Sequence, residues 1–162
     1  MLETARLTLR PWQAADAALL HELWAERDPR VPAHRRLDAD GRPTVAEFEE
    51  RVRSGALDGF LVVVERHSGE PVGYCGIATT EGEEPELAFE LLRRVWARGY
   101  ATEAAAAVVD DARRRGIPAL VAGVREWNAA SLRVLDKLGF APTGRVDPDP
   151  EHGDSVLRRL VL

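Results

Sequence analysis

The residues best placed to do chemistry lie in the segment WARGYATEA, residues 96–104, where a glycine separates two runs that each favour regular structure. The apolar run ELAFELL before it is typical of a strand, and the alanine-rich run after it is typical of a helix. A strand that enters a helix through Gly99 leaves the first helical N–H groups unpaired, with the positive end of the helix dipole behind them. Such a helix start binds anions. Gly99 and Ala101 keep the approach to the backbone open, and Arg98 adds a permanent positive charge.

The segment does not match the common nucleotide-binding motifs. It lacks the lysine and Ser/Thr pair of a P-loop, and it has one glycine where a dinucleotide fingerprint has three. ATP and NAD are therefore poor candidates. A glycine before a helix is as often structural as functional, so this segment alone does not identify a ligand. A second segment, NAASLRVLDKLGF at residues 128–140, is needed for the interpretation.

Together, WARGYATEA and NAASLRVLDKLGF resemble the two acetyl-CoA motifs of the GNAT N-acetyltransferase superfamily. The opening RLTLRPWQAADA resembles the branch that contains the ribosomal-protein N-terminal acetyltransferases of the RimJ and RimL type, so the resemblance covers nearly the whole chain. It implies acetyl-CoA as the cosubstrate and a small-molecule amine or a peptide N-terminus as the acceptor. It also makes a homodimer plausible.

The resemblance further implies which residues hold the cosubstrate. In the family, the pattern Gln/Arg-x-x-Gly-x-Gly/Ala binds the pyrophosphate of coenzyme A, the end of the preceding strand pairs with the pantetheine amides, and an asparagine contacts the pantetheine arm. Trp96 stands here at the usual Gln/Arg position, and Asn128 has an alternative role as a helix N-cap. The implied cofactor-binding residues are Leu91, Leu92, Trp96, Ala97, Arg98, Gly99, Tyr100, Ala101, Thr102 and Asn128.

The same resemblance implies direct attack of an amine on the acetyl thioester, with Glu86 and Ser131 as the catalytic residues. Glu86 lies where many members keep a base carboxylate, with Glu90 in reserve on the same face of the strand, although either could be an ordinary strand glutamate. Ser131 stands at the position of the acid in the ribosomal-protein branch, although it could simply cap or pack. The family tyrosine seven residues after Asn128 is replaced by Leu135, so tyrosine catalysis is excluded at that position.

Composition bounds the remaining possibilities. The 162 residues, 45% of them hydrophobic, predict a single domain over residues 1–162. A formal net charge of −5 argues against nucleic acid as a partner. The single cysteine and four scattered histidines form no metal-ligand spacing, and the absence of a long apolar run predicts no membrane segment and a cytoplasmic location.

The elements that must position these residues follow the order β, α, α, β, β, β, α, β, α, β, β. The pattern predicts an α/β (α+β) fold with a mixed, mostly antiparallel sheet of about seven strands, about four helices and splayed central strands as in the GNAT fold. We expect Asp16, Thr44 and Asn128 to cap helices, and we expect a hairpin of strands 60–65 and 72–79. The proline-rich stretch 28–43 predicts a surface loop.

Two alternatives remain open from the sequence. The chain is either an active N-acetyltransferase or a non-catalytic acyl-CoA-binding or sensing module that has lost its acceptor chemistry. The acceptor is undecided among a protein N-terminus, an amino acid, a polyamine and an aminoglycoside. His34, Arg35 and Arg36 in the long loop are candidates to bind an acceptor carboxylate, and their alternative is solvated loop charge.

Overall fold

The computed structural model describes residues 1–162. Four helices and eight strands follow the expected order, the additional strand being the two-residue β1. The strands are β1 Leu2–Glu3, β2 Leu7–Arg10, β3 Phe60–Glu65, β4 Pro71–Ala78, β5 Glu86–Leu91, β6 Ala119–Arg125, β7 Ala141–Asp147 and β8 Ser155–Val161. The helices are α1 Ala17–Ala25, α2 Val45–Arg53, α3 Tyr100–Arg114 and α4 Ala129–Lys137.

The strands form one sheet in the order β1-β2-β3-β4-β5-β6-β8-β7. All neighbouring pairs are antiparallel except β5 and β6, which are parallel because α3 crosses over between them. The predicted mixed, mostly antiparallel α/β fold is confirmed. The predicted splaying of the central strands is confirmed as well, because β5 and β6 share a single register pair, Glu86 with Val121.

The period-2 pattern of the strands assigns their two faces. The main core contains Leu87 and Leu91 of β5 together with the buried residues of β2 and β4. These side chains pack against the apolar stripe of α3, which includes Ala105 and Val108. The opposite face of β3 and β4 packs against α1 through Val62. Glu86 and Glu90 therefore lie on the α1–α2 face, because they alternate along β5 with its buried leucines.

The helix caps follow the prediction with one exception. Thr44 and Glu47 form the reciprocal capping box of α2, with Glu47 N–H donating to Thr44 Oγ1 over 3.3 Å. The prediction for Asp16 is wrong in its mechanism, because its carboxylate makes no cap hydrogen bond to α1. It instead forms a bidentate ion pair with Arg10, with N···O distances of 2.7 and 2.8 Å, and accepts the Gln13 N–H.

Candidate active site

The start of α3 presents unpaired amide groups, as the sequence predicts. Gly99 is the N-cap, with a φ of +81° that a residue with a side chain rarely adopts, and Ala97 has a φ of +59°. No protein acceptor meets the N–H groups of Gly99, Tyr100, Ala101 and Thr102, and the first satisfied amide is that of Glu103, which donates to Gly99 O over 3.0 Å. These free donors and the helix dipole make an anion site.

Two arginines flank this anion site without blocking its amides. Arg6 donates to the Arg98 carbonyl over 2.9 Å and pairs with Glu103, and its guanidinium lies 4.7 Å from the centre of the Tyr100 ring. Arg98 is 54% exposed and lies 3.6 Å from Glu65. Both arginines thus lie beside the free amides with a carboxylate partner each, and the exposed Arg98 side chain could exchange Glu65 for a phosphate.

Tyr100 can offer a ligand only its backbone N–H. Its ring is buried in the core, and its hydroxyl donates to Glu65 over 2.6 Å. This hydrogen bond, followed by that from Ser68, lowers the pKa of Glu65 below its ordinary value. The Ala101 and Thr102 side chains are partly exposed beside it, and no hydrogen bond engages the Thr102 hydroxyl.

A gap separates β5 from β6 beyond their single register pair. Val121 N–H donates to Pro85 O over 3.0 Å just before that pair, and no later residue of β5 pairs with β6. Peptide groups along a strand alternate between its two edges. Because Leu92 N–H donates to Val72 of β4 over 2.9 Å, the backbone groups of Phe89 and Leu91 face the gap. An extended ligand that carries amides could therefore pair with this edge.

The backbone of Leu92 is not available to such a ligand. Its N–H is bonded to β4, and its carbonyl accepts Val95 N–H over 3.1 Å. The Leu91 carbonyl accepts the Trp96 indole N–H over 2.7 Å, while the Trp96 ring remains 57% exposed. Of the two predicted pantetheine partners, only the Leu91 N–H remains free at the gap. Phe89 joins it there, and the alternation of ELAFEL along the strand was the signal that could have identified it.

Asn128 and Ser131 stand at the end of β6, across the gap. Asn128 Oδ1 caps α4 by accepting Ser131 N–H over 3.1 Å, whereas Asn128 Nδ2 has no acceptor in the protein. The Ser131 hydroxyl is likewise unpaired and only partly buried. Leu135 is completely buried in the core, which gives it a packing role. The free donor of Asn128 is thus separate from the atom that caps the helix.

Glu86 lies at the narrow end of the gap. Its Oε1 accepts the N–H of Gly123 over 3.0 Å, and Gly123 is the next residue of β6 after Val121 whose amide faces β5. Its Oε2 has no donor in the protein, and the residue is exposed. Glu86 therefore bridges the two strands where their backbone pairing stops and keeps one carboxylate oxygen free.

Glu90 is held much more tightly than Glu86. Arg27 donates to its two oxygens over 2.8 and 2.6 Å, and the Tyr74 hydroxyl donates to Oε2 over 3.1 Å. Burial, together with the negative charge of Glu90, raises the pKa of Tyr74 above its ordinary value, so its hydroxyl stays protonated. With both oxygens engaged, Glu90 is the poorer proton acceptor of the two strand glutamates.

A pocket of about 140 Å³ adjoins Glu90 on the α1–α2 face, and we refer to it as the α1–α2 pocket. No local sequence pattern indicates this pocket, because its lining comes from segments far apart in the chain. Its aromatic lining residues are Trp12, Trp24, Phe48, Phe60 and Tyr74, and its charged lining residues are Arg27, Arg35 and Arg51. Of the predicted loop candidates, Arg35 reaches this pocket, Arg36 donates to Val31 O over 2.7 Å, and His34 is exposed.

The protein contains no cluster of three or more His, Cys, Asp or Glu side chains able to hold a metal ion. None of its helices is both long enough and apolar enough to cross a bilayer.

Free amides at a helix start beside a gap between parallel strands can hold an anion together with an extended ligand that carries amides. Residues 6–141 match the family described as acetyltransferase (GNAT) domain. The chain belongs to this family of acetyltransferases.

Relatives of known sequence cover most of the chain. The protein YkkB of Bacillus subtilis is 31% identical over 145 residues, which cover 86% of this chain and 84% of YkkB. The L-methionine sulfoximine/L-methionine sulfone acetyltransferase of Salmonella typhimurium is 27% identical over 165 residues, covering 96% of this chain and 91% of that enzyme.

Solved structures share the fold. A GNAT acetyltransferase from Bacillus anthracis has a TM-score of 0.82 at 20% identity, covering 99% of this chain and 97% of its own. YncA of Salmonella typhimurium, solved with its cofactor acetyl-CoA, has a TM-score of 0.70 at 26% identity, covering 98% and 95%. The ribosomal-protein-alanine N-acetyltransferase of Brucella melitensis has a TM-score of 0.73 at 22% identity, covering 96% and 99%, so it shows a common fold.

Proposed function

We propose that the protein transfers the acetyl group of acetyl-CoA to the primary amine of a small molecule or peptide by direct attack within a ternary complex. The observation that carries this proposal is that the free amides of α3, the unpaired edge of β5 and the free oxygen of Glu86 all border one gap. A single gap can thus hold a phosphate at one end and a proton acceptor at the other.

The residues present fit coenzyme A. The N–H groups from Gly99 to Thr102, with Arg98 beside them, would hold the pyrophosphate. The gap-facing backbone of Phe89 and Leu91, with Asn128 Nδ2 opposite, would hold the pantetheine amides. Trp96 serves indirectly in this arrangement, because its indole N–H fixes the Leu91 carbonyl and the turn that leads to Gly99.

The cosubstrate supplies a thioester whose carbonyl carbon accepts the amine as the C–N bond forms and the C–S bond breaks. An alkylamine with a pKa near 10.4 is mostly protonated at pH 7, and freeing its lone pair costs about 4 to 5 kcal/mol. The α-amine of a peptide N-terminus, with a pKa near 8, costs only about 1 kcal/mol to deprotonate. A base is therefore more important for an alkylamine than for an α-amine.

Glu86 is our candidate for this base, and Glu90 has a positioning role. Glu86 Oε2 is free to take the ammonium proton directly or through a water molecule. The proton acceptor capacity of Glu90 is already used by Arg27 and Tyr74. On the leaving-group side, a thiolate with a pKa of about 8.5 departs at a cost of about 2 kcal/mol at pH 7, so the Ser131 hydroxyl would assist as an acid without being indispensable.

Within the family, we assign the chain to the branch of the ribosomal-protein N-terminal acetyltransferases. The opening RLTLRPWQAADA supports this assignment. The 27% identity to a methionine sulfoximine acetyltransferase adds amino-acid analogues to the acceptors that should be screened.

The experiment is to measure release of the CoA thiol from acetyl-CoA in the presence of a panel of amines. Release that depends on one class of amine would support the proposal. Tight binding of acetyl-CoA by calorimetry, with no amine causing release above the hydrolysis background, would instead mean that the chain is a sensing module. Gly99→Glu places a carboxylate among the free amides and should abolish CoA binding, whereas Gly116→Glu, after the far end of α3, should leave it unchanged.

A further inference from the structure

We propose that the α1–α2 pocket is the acceptor site and that it selects α-amino acids with an apolar side chain over polyamines and aminoglycosides. The inference rests on the proposed function, because it names the acceptor class for that same reaction. It rests also on three properties of the pocket: its position beside β5, its aromatic interior and its uncompensated positive charge.

The pocket and the donor gap lie on either side of one strand. Tyr74 contributes to the pocket lining and donates its hydroxyl to Glu90, which is its register partner on β5. The edge of β5 away from β4 faces the gap, through Phe89 and Leu91. The sheet residues of the pocket lining are Phe60 of β3 and Tyr74 of β4, so β5 is the strand between the pocket and the gap.

The interior of the pocket suits a side chain without charge. The Tyr74 and Phe60 rings meet edge-on with their centres 5.5 Å apart, and Trp24 meets Phe48 edge-on at 5.1 Å. Rings packed against one another hold the pocket open as a rigid apolar surface. A volume of about 140 Å³ is close to that of an engineered cavity of about 150 Å³ that holds benzene, so a side chain of leucine or methionine size fits.

The charged residues that line the pocket are all arginines. No aspartate or glutamate belongs to its lining, whereas three arginines do. Arg27 is neutralised by Glu90, but neither Arg35 nor Arg51 lies within ion-pair distance of a carboxylate. This excess contrasts with the formal net charge of −5 of the whole chain. It favours an acceptor that brings a carboxylate and disfavours one that brings further ammonium groups.

Arginines already lie against the rings on the helix side of the pocket. The Arg27 guanidinium lies 4.4 Å from the centre of the Trp24 ring, and that of Arg51 lies 5.3 Å from Trp24 and 5.2 Å from Phe48. Two of the five lining rings, Trp24 and Phe48, thus already have arginine partners. A polyamine would compete with the arginines for these two rings and would meet like charge.

The decisive comparison uses leucine, leucinamide and spermidine as acceptors with saturating acetyl-CoA. Leucine and leucinamide differ only in the carboxylate, and the less basic amine of the amide would by itself favour the amide. We expect kcat/KM for leucine to exceed that for leucinamide and for spermidine by at least about tenfold. Equal values for leucine and its amide, or preferred turnover of spermidine, would overturn the proposal while leaving acetyl transfer intact.

Variants test the arginines directly. In Arg35→Gln with Arg51→Gln, KM for leucine should rise at least about tenfold with little change in kcat, and KM for leucinamide should not change. Both side chains are exposed, so folding should be retained, as a melt followed by circular dichroism would verify. Arg113→Gln, at the far end of α3, is the matched control and should leave both KM values unchanged.

A binding measurement makes the test independent of turnover. Trp12 and Trp24 line the pocket, so leucine binding in the presence of CoA should change the tryptophan fluorescence, and the double variant should lose this change. No response to leucine would overturn the acceptor assignment. Absence of CoA release with every amine would instead contradict the proposed function.

Discussion

At the scale of single residues, Gly99 and Asn128 show how one position serves both structure and ligand. Gly99 supplies the left-handed conformation that starts α3 and leaves the amides beside it open. An added Cβ at Gly99 would lie 3.4 Å from Arg6 Nη2, which is ordinary contact with a mobile side chain. The glycine is therefore required by its backbone conformation and by the ligand rather than by crowding.

Two substitutions at Asn128 can separate its role as a helix cap from its role in ligand binding. Asn128→Asp keeps the oxygen that caps α4 and removes the free Nδ2 donor, so stability should be retained while the Kd for CoA rises several-fold. Asn128→Ala removes both atoms and should in addition lower the free energy of unfolding by about 1 kcal/mol. Calorimetric titration with CoA and urea unfolding of both variants measure the two effects. An unchanged Kd in Asn128→Asp would leave the residue with the capping role alone.

Asp149 predicts a pH dependence for the loop between β7 and β8. Desolvation would raise the pKa of Asp149, but the His152 N–H and the Arg125 guanidinium outweigh it and lower the pKa from 3.8 to about 2. A lowered folded-state pKa means that the unfolded chain binds the proton first, so this contribution is present above pH 4 and is lost as the pH falls towards 2.

Urea unfolding midpoints between pH 5 and pH 2 test this prediction. Asp149→Asn should be less stable than the wild type at pH 5, and the difference should shrink as the pH falls through this window. A difference that stays constant down to pH 2 would show that the carboxylate charge contributes nothing there.

The loop that contains Asp149 also contacts the residue before Asn128. The His152 carbonyl oxygen in this loop accepts the Trp127 indole N–H over 2.8 Å.

At the scale of elements, the close approach of β4 and β5 places the end of β5 and hence the phosphate-binding turn. Gly73 stands opposite Leu91, and an added Cβ would lie 2.2 Å from the Glu90 carbonyl oxygen. No such contact is tolerated without moving one strand. The lack of a side chain at Gly73 therefore allows β5 to lie where its free edge meets the gap.

Gly73→Ala should consequently destabilise the protein by at least about 2 kcal/mol and weaken CoA binding together with it. Gly69→Ala, in the turn between β3 and β4, is the control, because its added Cβ meets nothing within 4 Å and only its φ of +73° is strained. We expect that control to cost about 1 kcal/mol, measured by urea unfolding. Equal losses in the two variants would mean that the contact with Glu90 relaxes freely.

At the scale of the whole molecule, the sheet consists of two parts that share one backbone register pair. Strands β1 to β5 form one part and β6, β8 and β7 form the other, and Glu86 with Val121 joins them. A ligand that pairs with the edges of the gap takes the place of the missing ladder. Cosubstrate binding should therefore stabilise the molecule as a whole.

We expect acetyl-CoA at about 100 times its Kd to stabilise the folded state by about 2.7 kcal/mol, which corresponds to a rise in Tm of roughly 5 to 11 °C. Hydrogen exchange should show new protection at the amides of Phe89 and Leu91, which face the gap. Protection confined to α3, with these two amides unchanged, would contradict the assignment of the pantetheine arm to the gap.

The sequence by itself determined most of the local structure. The apolar periodicities, the capping box at Thr44 and the glycine before α3 depend on neighbouring residues, and each of these predictions agrees with the fold. Glycine and capping patterns act within one turn of chain, so they can be read in order.

Only the tertiary structure decided which groups are engaged. Glu90 is paired with Arg27, 63 residues away in the sequence, and Glu86 binds Gly123, which lies 37 residues away. The pocket between α1, α2 and β4 and the different availability of Leu91 and Leu92 arise in the same way. Side-chain partners across the sheet and the edge to which a peptide group points depend on strand order and register. These are fixed by packing of the whole chain rather than by any local pattern.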